Sequence, residues 1–380
     1  MARQFKESGF EVHVLTAKPN YPRRVIHEEY KKGFINRRND NGIDIIHCWL
    51  FVTRSKNLIL RLINYFSFVF SSMLVGTFLL PKANLLIMES PPLFLSISAW
   101  WLSRIKRAKL ILNISDLYPE TAIALGMLSN KFLQKIFFLF EAWSYKISAL
   151  VTGQTQGIIK SIQQRFPDKA TFLLTNGFDI DQFHLDPKLR ENNHEFIIGY
   201  AGVLGYAQNL GILIETAKSL AKFDNIKFRL YGDGPMSDYL QEQIHTQGLK
   251  NMEILGHFPH PEIIKIMQSW DIGLVPLANT PLMAGARPSK MFEIMGFGLP
   301  VILISPKGEA SEILHSANAG IWVSANSPDC LYEKILELYE NRKLSTEYGN
   351  NGRKYVINFF DRKNIFSDFF SFLQREKIIS

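Results

Sequence analysis

Residues 196–213, FIIGYAGVLGYAQNLGIL, hold the pattern that decides the fold. An apolar strand, Phe196–Gly202, runs into a loop bounded by Gly202 and Gly205, and a helix is predicted from Asn209. Glycine lets a backbone approach a phosphate closely, and the amino end of a helix favours negative charge. The GxxG spacing differs from the GxGxxG fingerprint of dinucleotide sites. The stretch therefore predicts a strand–loop–helix unit, in which the loop is either an anion site or an ordinary connecting turn.

The same alternation of short apolar strands and helices runs along most of the chain. Strands are predicted in a first series at Glu11–Thr16, Ile43–Cys48, Leu85–Met88, Leu110–Ile114, Leu150–Thr152 and Phe172–Thr175. A second series follows at Phe196–Gly202, Ile226–Tyr231, Met252–Leu255, Ile272–Pro276, Val301–Ile304 and Ile321–Val323. Strands separated by helices are typical of parallel, doubly wound sheets.

The two series meet at 176–195, a stretch with Gly, Pro, Asn and Asp and little periodicity. We therefore predict an α/β protein with two Rossmann-like domains that face a cleft. The predicted boundaries are 1–180 for the first domain and 181–360 for the second. The aromatic segment 361–380 is predicted to form a helix that crosses back to the first domain.

Charge is divided unevenly between the halves of the 380-residue chain, whose net charge is +8. Residues 1–180 hold 23 Lys and Arg against 12 Asp and Glu, and residues 181–380 hold 20 against 23. A basic half suggests nucleic acid, a lipid surface or a phosphorylated substrate as partner, with a merely soluble basic face as the alternative. Only two cysteines are present, without CxxC spacing, which argues against a disulfide framework and a zinc site.

Leu62–Leu80 is a run of 19 residues without a charge, preceded by Arg54, Lys56 and Arg61. That length barely crosses a bilayer, and the run contains Asn, Ser, Gly and Thr. Three interpretations stay open: an amphipathic helix on a membrane surface, a buried core helix, and a membrane span.

Residues 285–305, GARPSKMFEIMGFGLPVILIS, place a helix directly before a buried strand. Pro288 suits the first helical position, where its missing N–H costs nothing. Ser289 and Lys290 then offer backbone donors at the positive end of the helix, with the side chains of Arg287 and Lys290 adjacent.

Glu293 follows on the face above this helix end. A carboxylate there can accept two hydrogen bonds from a ribose diol while phosphates lie at the helix tip. An ordinary helix start with a solvated glutamate is the alternative.

Asp116 and Glu120, in LILNISDLYPET (110–121), follow a buried strand. Open α/β sheets bind their ligands at this end of the strands, so both carboxylates are candidates for chemistry. Capping of the next helix is the competing explanation.

Two other patterns are interpreted as structural. Asp179 and Asp181 match a DxD metal motif, but they lie in the connection between the domains and are read as a turn. His257 and His260 stand near a strand end without clustering with other ligands. No metal site is expected.

Several segments together resemble retaining glycosyltransferase family 4, over essentially the whole chain. They are YAGVLGYAQNL, YGDGP, LGHFP, DIGLVPL, RPSKMFEIMGFGLPVI, GNNGR and NGFDIDQF. VLTAKPNYP and SDLYPET are similar to the bacterial branch that builds O-antigen, capsule or exopolysaccharide, such as N-acetylfucosamine transferases.

The resemblance implies a GT-B fold with a nucleotide-sugar donor in the cleft. Glu293 matches the second glutamate of the family's E-x7-E motif, which binds the ribose, while Gly285 stands at the first. Ser289 and Lys290 match positions whose backbone meets the phosphate and sugar.

The glycine loop and its surroundings are matched as well. Gly202 and Gly205 match the loop that faces the diphosphate. Gln208 stands near the position of the family's lysine, so Arg287 and Lys290 are expected to supply the missing positive charge. Asp116 matches a position directly after a strand, where the family often has the pair His-Asp. In this chain the pair is Ser115-Asp116.

The resemblance also implies an activity: transfer, with retention and without metal or other cofactor, of a sugar from a UDP-linked or related donor. The expected acceptor is a saccharide linked to a lipid diphosphate, which is used in the synthesis of a cell-surface polysaccharide. Asp116 and Glu120 are the catalytic candidates. We expect a cytoplasmic enzyme, peripheral on an anionic inner membrane surface, with no nucleic acid partner.

The start of the chain departs from the family. Ala2–Ser8 reads as the end of a helix stopped by Gly9, whereas the family opens with a strand and a glycine-rich loop. We therefore expect the first strand to be missing. An inactive partner subunit and a non-hydrolysing sugar-nucleotide epimerase are the alternative functions.

Overall fold

The computed structural model describes residues 1–20, 25–53, 55, 57–124, 126, 128–180 and 194–379. They form two compact units: unit 1 is Met1–Leu174 with Phe366–Ser380, and unit 2 is Thr175–Ile365. Parallel sheets flanked by helices build both units, so the predicted α/β class is confirmed. The domain boundaries were predicted after residues 180 and 360, and the two units divide after Leu174 and after Ile365.

In the described part of unit 1 the strands form two separate sheets. The strands are β1 (His13–Ala17), β2 (Ile35–Asp40), β3 (Ile43–Cys48), β4 (Leu85–Ser90), β5 (Lys109–Ile114), β6 (Leu150–Gly153) and β7 (Thr171–Leu173). One sheet has the order β1-β3-β2 and the other the order β4-β5-β6-β7. The single doubly wound sheet predicted for this half is therefore split.

The prediction of parallel strands alone is wrong at β2, which pairs antiparallel with β3. The two strands form a hairpin through Asn41 and Gly42, whose φ angles of 52° and 81° are both left-handed. Asn-Gly is a strong hairpin signal, because both residues tolerate positive φ. The sequence of β2, INRRND, is polar and contains no apolar run, so this strand was not predicted.

A helix precedes β1, and from β3 onward helices connect each strand of this unit to the next. They are α1 (Ala2–Glu7), α2 (Leu58–Leu79), α3 (Leu95–Lys106), α4 (Glu120–Ala124), α5 (Lys131–Ile147) and α6 (Gln156–Arg165). Gly9 follows α1 with a φ of 89°, a left-handed conformation that suits glycine at a helix end.

Helix α2 contains the uncharged run found in the sequence. It packs on α3, β1 and β3. Its window Leu62–Leu79 has a mean hydropathy of 1.6, which by length and composition alone would allow it to cross a membrane, yet 28% of the window is buried within the protein. Phe70 and Phe78 remain 63% and 76% exposed. The helix is therefore partly a core element and partly an uncovered apolar surface.

Unit 2 contains one continuous sheet. Its strands are β8 (Phe196–Ala201), β9 (Ile226–Tyr231), β10 (Met252–Gly256), β11 (Ile272–Pro276), β12 (Val301–Ser305) and β13 (Gly320–Ser324). All neighbours in the order β10-β9-β8-β11-β12-β13 are parallel. Ile198 and Tyr200 of β8 enter one core and Ile197 the other, so both faces of the central strand are buried.

The helices of unit 2 cover both faces of this sheet. They are α7 (Gly211–Ser219), α8 (Ser237–Thr246), α9 (His260–Met267), α10 (Pro281–Ala284), α11 (Ser289–Gly296), α12 (Glu309–Ala317), α13 (Pro328–Glu340) and α14 (Arg342–Phe359).

The last helix, α15 (Arg362–Arg375), begins in unit 2 and continues into unit 1. Within unit 1 its aromatic side chains meet α1. The ring of Phe5 lies 4.9 Å from that of Phe370 and 6.4 Å from that of Phe369, centroid to centroid. Edge-to-face contacts of this kind stabilise an aromatic cluster.

Candidate functional site

The loop after β8 lies at the carboxyl end of the sheet in unit 2, where doubly wound sheets bind ligands. Gly202 has a φ of 149°, a backbone conformation that residues with a side chain rarely adopt. A Cβ on Gly232 would lie 1.8 Å from the Gly202 carbonyl oxygen, and one on Gly234 would lie 2.4 Å from the Leu204 oxygen. Glycines therefore let the loops after β8 and β9 touch through their backbones.

The helix predicted from Asn209 begins later than expected. A 3-10 turn covers Tyr206–Gln208, Asn209 is left-handed with a φ of 46°, and α7 starts at Gly211. Asn209 Nδ2 donates to the carbonyl of Ala325 at 2.7 Å. The amino end of α7 is thus separated from the glycine loop by a turn, so the loop is not itself the start of that helix.

Gln208, a candidate donor-binding residue, lies over this loop. Its side-chain oxygen would be 2.9 Å from a Cβ on Gly205. The amide of Gln208 is half-buried and carries no charge. It can donate a hydrogen bond to a ligand here but cannot replace a lysine.

Lys290 brings a positive charge to the same loop from α11. Its ammonium lies 2.8 Å from the Tyr200 hydroxyl and 4.2 Å from the centre of that ring, a cation–π distance. A Cβ on Gly202 would be 2.0 Å from the Nζ atom, so the ammonium rests against Gly202. Burial lowers the pKa of Lys290 to about 8, while the charge of Glu293 opposes this shift.

Tyr200 is a site residue that the sequence did not reveal. Its hydroxyl accepts from Lys290 and donates to the carbonyl of Val203 at 2.7 Å. It therefore connects the cation to the glycine loop. A tyrosine near the end of the buried strand Phe196–Ala201 was the available signal.

Helix α11 presents its amino end beside Lys290. Pro288 is the N-cap in an extended conformation, with φ −66° and ψ 120°, and Ser289 is the first helical residue. The prediction that Pro288 is itself the first helical residue is therefore off by one position. The first backbone amides of a helix have no acceptor within it, so those of Ser289 and Lys290 point to a ligand position.

Glu293 stands one turn further along α11. Its carboxylate lies 3.5 Å from the imidazole of His260, the first residue of α9. The side chain of His260 is 61% exposed, so the pair is accessible to a ligand. His260, interpreted as structural from the sequence, therefore belongs to this group of residues, and its place at a helix start after a strand was the signal.

Arg287 is held elsewhere. Its Nε donates to Glu309 Oε1 at 2.5 Å, and Nη1 donates to the hydroxyl of Thr175 at 2.9 Å. Of the two cations predicted to replace the family's charges, Lys290 is therefore the one that contacts the glycine loop. Gly285, which stands in place of the first glutamate, is the exposed C-cap of α10.

Asp116 and Glu120 belong to unit 1, just after β5. Neighbouring protein atoms partly bury the Asp116 carboxylate and raise its pKa, although much of the residue is accessible to solvent. A carboxylate at the end of a parallel strand with a raised pKa is suited to accept or share a proton.

Glu120 lies in a network that Arg165 organises. Arg165 contacts Glu120 Oε1 at 3.1 Å and grips Glu141 with two hydrogen bonds of 2.7 and 2.9 Å. Burial, and then the charge of Glu141, raise the pKa of Glu120. Its carboxylate therefore stabilises the segment after β5, and Asp116 is the more accessible of the two catalytic candidates.

The DxD pattern is only half described, because Asp181 lies outside the described residues. Asp179 lies 3.7 Å from the guanidinium of Arg362. Within the described ranges no group of three or more His, Cys, Asp or Glu side chains could hold a metal ion.

Part of the chain matches a known protein family, and nearly all of it aligns with a known protein. Residues 181–355 match the family described as glycosyl transferases group 1. The chain is 22% identical to the putative colanic acid biosynthesis glycosyl transferase WcaI of Escherichia coli (strain K12), over 97% of this chain and 93% of that protein.

Two solved structures show the same fold. Sucrose-phosphate synthase of Thermosynechococcus elongatus aligns with a TM-score of 0.74 at 15% identity, over 98% of this chain and 91% of that one. Anabaena HepE in complex with UDP-glucose aligns with a TM-score of 0.64 at 19% identity, over 81% and 82%. The chain thus has the GT-B fold, and its residues 181–355 match the family of group 1 glycosyl transferases.

Proposed function

We propose that this protein transfers a sugar from a nucleoside-diphosphate sugar, with UDP as the nucleotide, to a saccharide carried on a lipid diphosphate. The observation that carries the proposal is the group formed by the glycine loop, the Lys290 ammonium and the start of α11, with Glu293 one turn away. The similarity to a colanic acid biosynthesis transferase supports a role in cell-surface polysaccharide synthesis.

Each part of this group has a task in donor binding. The amides at the start of α11 and the ammonium of Lys290 would hold the diphosphate, whose negative charge grows as the sugar bond breaks. Fixed positive groups at that place stabilise the leaving diphosphate electrostatically, so the transfer is proposed to proceed without a metal ion. Glu293 would accept hydrogen bonds from the two ribose hydroxyls, and His260 would hold that carboxylate in place.

The proposed reaction retains the anomeric configuration. The acceptor hydroxyl attacks the anomeric carbon on the face from which the diphosphate leaves, and a phosphate oxygen of the leaving group takes its proton. The carbon–oxygen bond to the diphosphate breaks as the new one forms. Asp116 is proposed to bind the acceptor, because its accessible carboxylate lies at the ligand end of β5.

Glu293→Ala tests the donor site directly. A hydrogen bond to a charged group contributes about 1.5–3 kcal/mol, so the dissociation constant for UDP should rise tenfold or more. Glu312→Ala is the matched control, because Glu312 is an exposed glutamate of α12 in the same unit. Calorimetry with equal UDP affinity for the two folded variants would overturn the assignment. If the protein epimerises the donor when no acceptor is present, the alternative function of a sugar-nucleotide epimerase is favoured. If it binds the donor but transfers no sugar, the alternative of an inactive partner subunit is favoured.

We also propose that the protein docks on the cytoplasmic face of the bacterial membrane through helices α2, α3 and α5 of unit 1. These helices expose large apolar side chains, among them Phe70, Phe78, Phe132 and Leu139, between 62% and 76% exposed. Rings of α2 and α5 meet on Phe94, at 5.0 Å from Phe66 to Phe94 and 5.0 Å from Phe94 to Phe137. The exposed side chains therefore extend from a shared aromatic cluster.

The charges of these three helices suit an anionic surface. Their sequences contain one acidic residue, Glu141, which is buried against Arg165. Lys131, Lys135 and Lys146 of α5 are basic. Arg54 and Lys56, which the sequence also suggested, lie outside the described residues, as does the side chain of Arg61. Each basic side chain near an anionic leaflet contributes about 1 kcal/mol, and apolar insertion adds to that.

Vesicle flotation tests the docking. Binding to vesicles with anionic lipid should weaken as salt rises, and Phe70→Glu with Phe78→Glu should abolish it. Tyr239→Glu, at an exposed aromatic residue of α8 in unit 2, is the control and should bind normally. Equal binding by the double variant would refute the surface, and resistance of the bound protein to alkaline extraction would instead indicate a span.

A further inference from the structure

A cavity in unit 1 lies at the amino ends of β5 and β6, at the other end of the sheet from Asp116. Its volume is about 450 Å³. It is lined by residues 103, 104, 107–110 and 147–149, where helices α3 and α5 end and the two strands begin. Parallel α/β sheets bind substrates at the carboxyl ends of their strands, so this cavity is distinct from the site proposed for the sugar acceptor.

The charges that line this cavity are all positive. Of its nine lining residues in the described chain, Arg104, Arg107 and Lys109 are basic and none is acidic. The sequence of residues 90–115, which contains α3 and β5, has no Asp or Glu. A concave surface with one sign of charge raises the local concentration of ions of the opposite sign. The cavity is therefore suited to an anion.

The two arginines of the cavity differ from the lysine between them in what they contact. Lys106 donates to the carbonyl oxygen of Thr77 at 2.8 Å and to that of Leu80, at the end of α2. A cation at this place satisfies carbonyls that have no partner within the helix. No hydrogen bond or ion pair joins the guanidinium groups of Arg104 and Arg107 to the part of the chain that the structure describes. Their donors are thus available to a ligand.

The backbone beside the cavity is unusual. Five described residues other than glycine have a left-handed φ, and three of them are asparagines. The other two are Arg107, with a φ of 58°, and Lys377, with a φ of 54°. Arg107 ends α3, a position at which glycine is the usual residue, and the carbonyl of Lys377 accepts a hydrogen bond from Lys109. Residues in unfavourable backbone conformations cluster at functional positions, and both of these adjoin the cavity.

Exposed apolar side chains lie next to the cavity, at the ends of α2 and α3. They are Phe78 of α2 and Trp101 and Ile105 of α3. Trp101 Nε1 donates to the hydroxyl of Thr77 at 3.0 Å, so the indole links the two helices. An exposed tryptophan with a satisfied N–H is typical of the boundary between water and lipid. Because Ile105 directly follows Arg104, the apolar surface and the basic cavity meet at one helix end.

We propose that the cavity binds the phosphate group of an anionic phospholipid, held by the guanidinium groups of Arg104 and Arg107 with the ammonium of Lys109 beside them. Planar guanidinium groups offer paired donors to phosphate oxygens. This site depends on the proposed docking of α2, α3 and α5 on a membrane, because the cavity lies at the depth of the headgroups when their apolar side chains enter the lipid. It adds specificity to the docking, since paired donors recognise phosphate geometry whereas a diffuse positive surface responds to charge alone.

Binding to phosphatidylcholine vesicles with about 30 mol% phosphatidylglycerol tests the site. Arg104→Lys with Arg107→Lys keeps every positive charge but loses the paired donors. The apparent dissociation constant of this variant for the vesicles should rise about tenfold or more, whereas a diffuse charge effect would leave it unchanged. Arg3→Lys with Arg38→Lys, at exposed arginines of unit 1 outside the cavity, is the matched control and should bind like the parent.

Arg107→Gly separates lipid binding from folding. Glycine suits the left-handed end of α3, so the melting temperature should rise by about 2 °C or more. The vesicle dissociation constant should nevertheless rise about fivefold, because a cation of the cavity is lost. A lower melting temperature with unchanged vesicle binding would assign Arg107 to the fold and overturn its role in the site.

Calorimetry with dihexanoyl phosphatidylglycerol, a short-chain lipid that is monomeric in dilute solution, tests the cavity without a membrane. The parent should bind it, and Arg104→Lys with Arg107→Lys should weaken binding about tenfold. Inorganic phosphate that binds as tightly as this lipid would overturn the choice of a lipid. Equal vesicle binding by the parent and this variant would overturn the site while the docking stands. Binding of the short-chain lipid without vesicle binding would instead refute the docking and support the phosphate site.

Discussion

The sheets of the two units differ although the same alternation of strands and helices encodes both. In unit 2, β8 lies at the centre with β9 on one side and β11 on the other, and both of its faces are buried. In unit 1, β1 and β4 stand at the edges of separate sheets, and their side chains are half-buried. The central strand is thus what turns two sets of strands into one core.

The difference also separates the chemistry of the units. The continuous sheet of unit 2 fixes the glycine loop, Lys290 and α11 at its carboxyl end, through close backbone contacts and the Tyr200 hydroxyl. The split unit 1 carries Asp116 and the uncovered apolar helices. Donor binding should therefore depend on rigid packing in unit 2, while acceptor and membrane contacts should depend on exposed groups in unit 1.

The difference between the two sheets predicts its largest effect when a charged side chain is introduced into β8 of unit 2 and into β1 of unit 1. Ile198→Asp in β8 buries an unpaired carboxylate and should cost about 3–5 kcal/mol of unfolding free energy. Val14→Asp in β1 should cost about 1–2 kcal/mol, because β1 is half-exposed. Urea denaturation followed by hydrogen exchange in each unit measures both. Equal costs would show that β1 is as central as β8.

Asp116→Asn should lower kcat/KM for the acceptor about 10–100-fold, because a hydrogen bond to a charged group contributes about 1.5–3 kcal/mol. UDP affinity should be unchanged, because Asp116 belongs to unit 1 and the donor site to unit 2. Glu120→Gln should instead lower thermal stability, since it weakens the contact with Arg165. Steady-state kinetics with calorimetry and melting curves distinguish the two. If Glu120→Gln lowers activity without lowering the melting temperature, and Asp116→Asn has no effect, the roles assigned to the two residues are wrong.

Lys290 predicts a pH dependence of donor binding. Its folded pKa of about 8 lies below its usual value of 10.5, so the ammonium is present below pH 8 and lost above it. UDP affinity should fall by about tenfold in total as the pH rises through about 8. Lys290→Met should weaken binding about tenfold at pH 7 and remove this dependence, while Lys218→Met, on the surface of α7, should change neither.

The same shift makes a prediction for stability. Between about pH 8 and 10.5 the unfolded chain binds a proton at Lys290 that the folded chain has released, so stability gains from rising pH in that window. Below pH 8 the buried ammonium costs stability. Lys290→Met should therefore melt at a higher temperature than the parent at pH 7 although it binds UDP less well, and a lower melting temperature would contradict the desolvation of this lysine.

The smallest expected effect is that of metal removal. Turnover should be unchanged by excess EDTA, because the proposed charges on the diphosphate come from Lys290 and the start of α11. Loss of activity that manganese restores would mean that Asp179 and Asp181 had been misinterpreted as a turn.

Strand positions could be predicted well because each buried strand is a short apolar run between turn residues. Ile43–Cys48, Ile226–Tyr231 and Ile272–Pro276 begin and end where they were predicted. The polar strand β2 was missed because it carries no apolar run, although its Asn41-Gly42 turn was visible. The start of α7 was misplaced because a left-handed Asn209 depends on its bond to Ala325, which is 116 residues away in the chain.

The sequence by itself determined the α/β class, the two series of strands, the uneven charge and the segment 285–305 that begins a helix before a buried strand, because these are local patterns of side-chain type and spacing. Only the tertiary structure decided which cation serves the glycine loop, that His260 meets Glu293, and that unit 1 is divided into two sheets. Those outcomes depend on contacts between residues far apart in the chain. Lys290 and Arg287 are three positions apart in sequence, yet Tyr200 holds one and Glu309 the other.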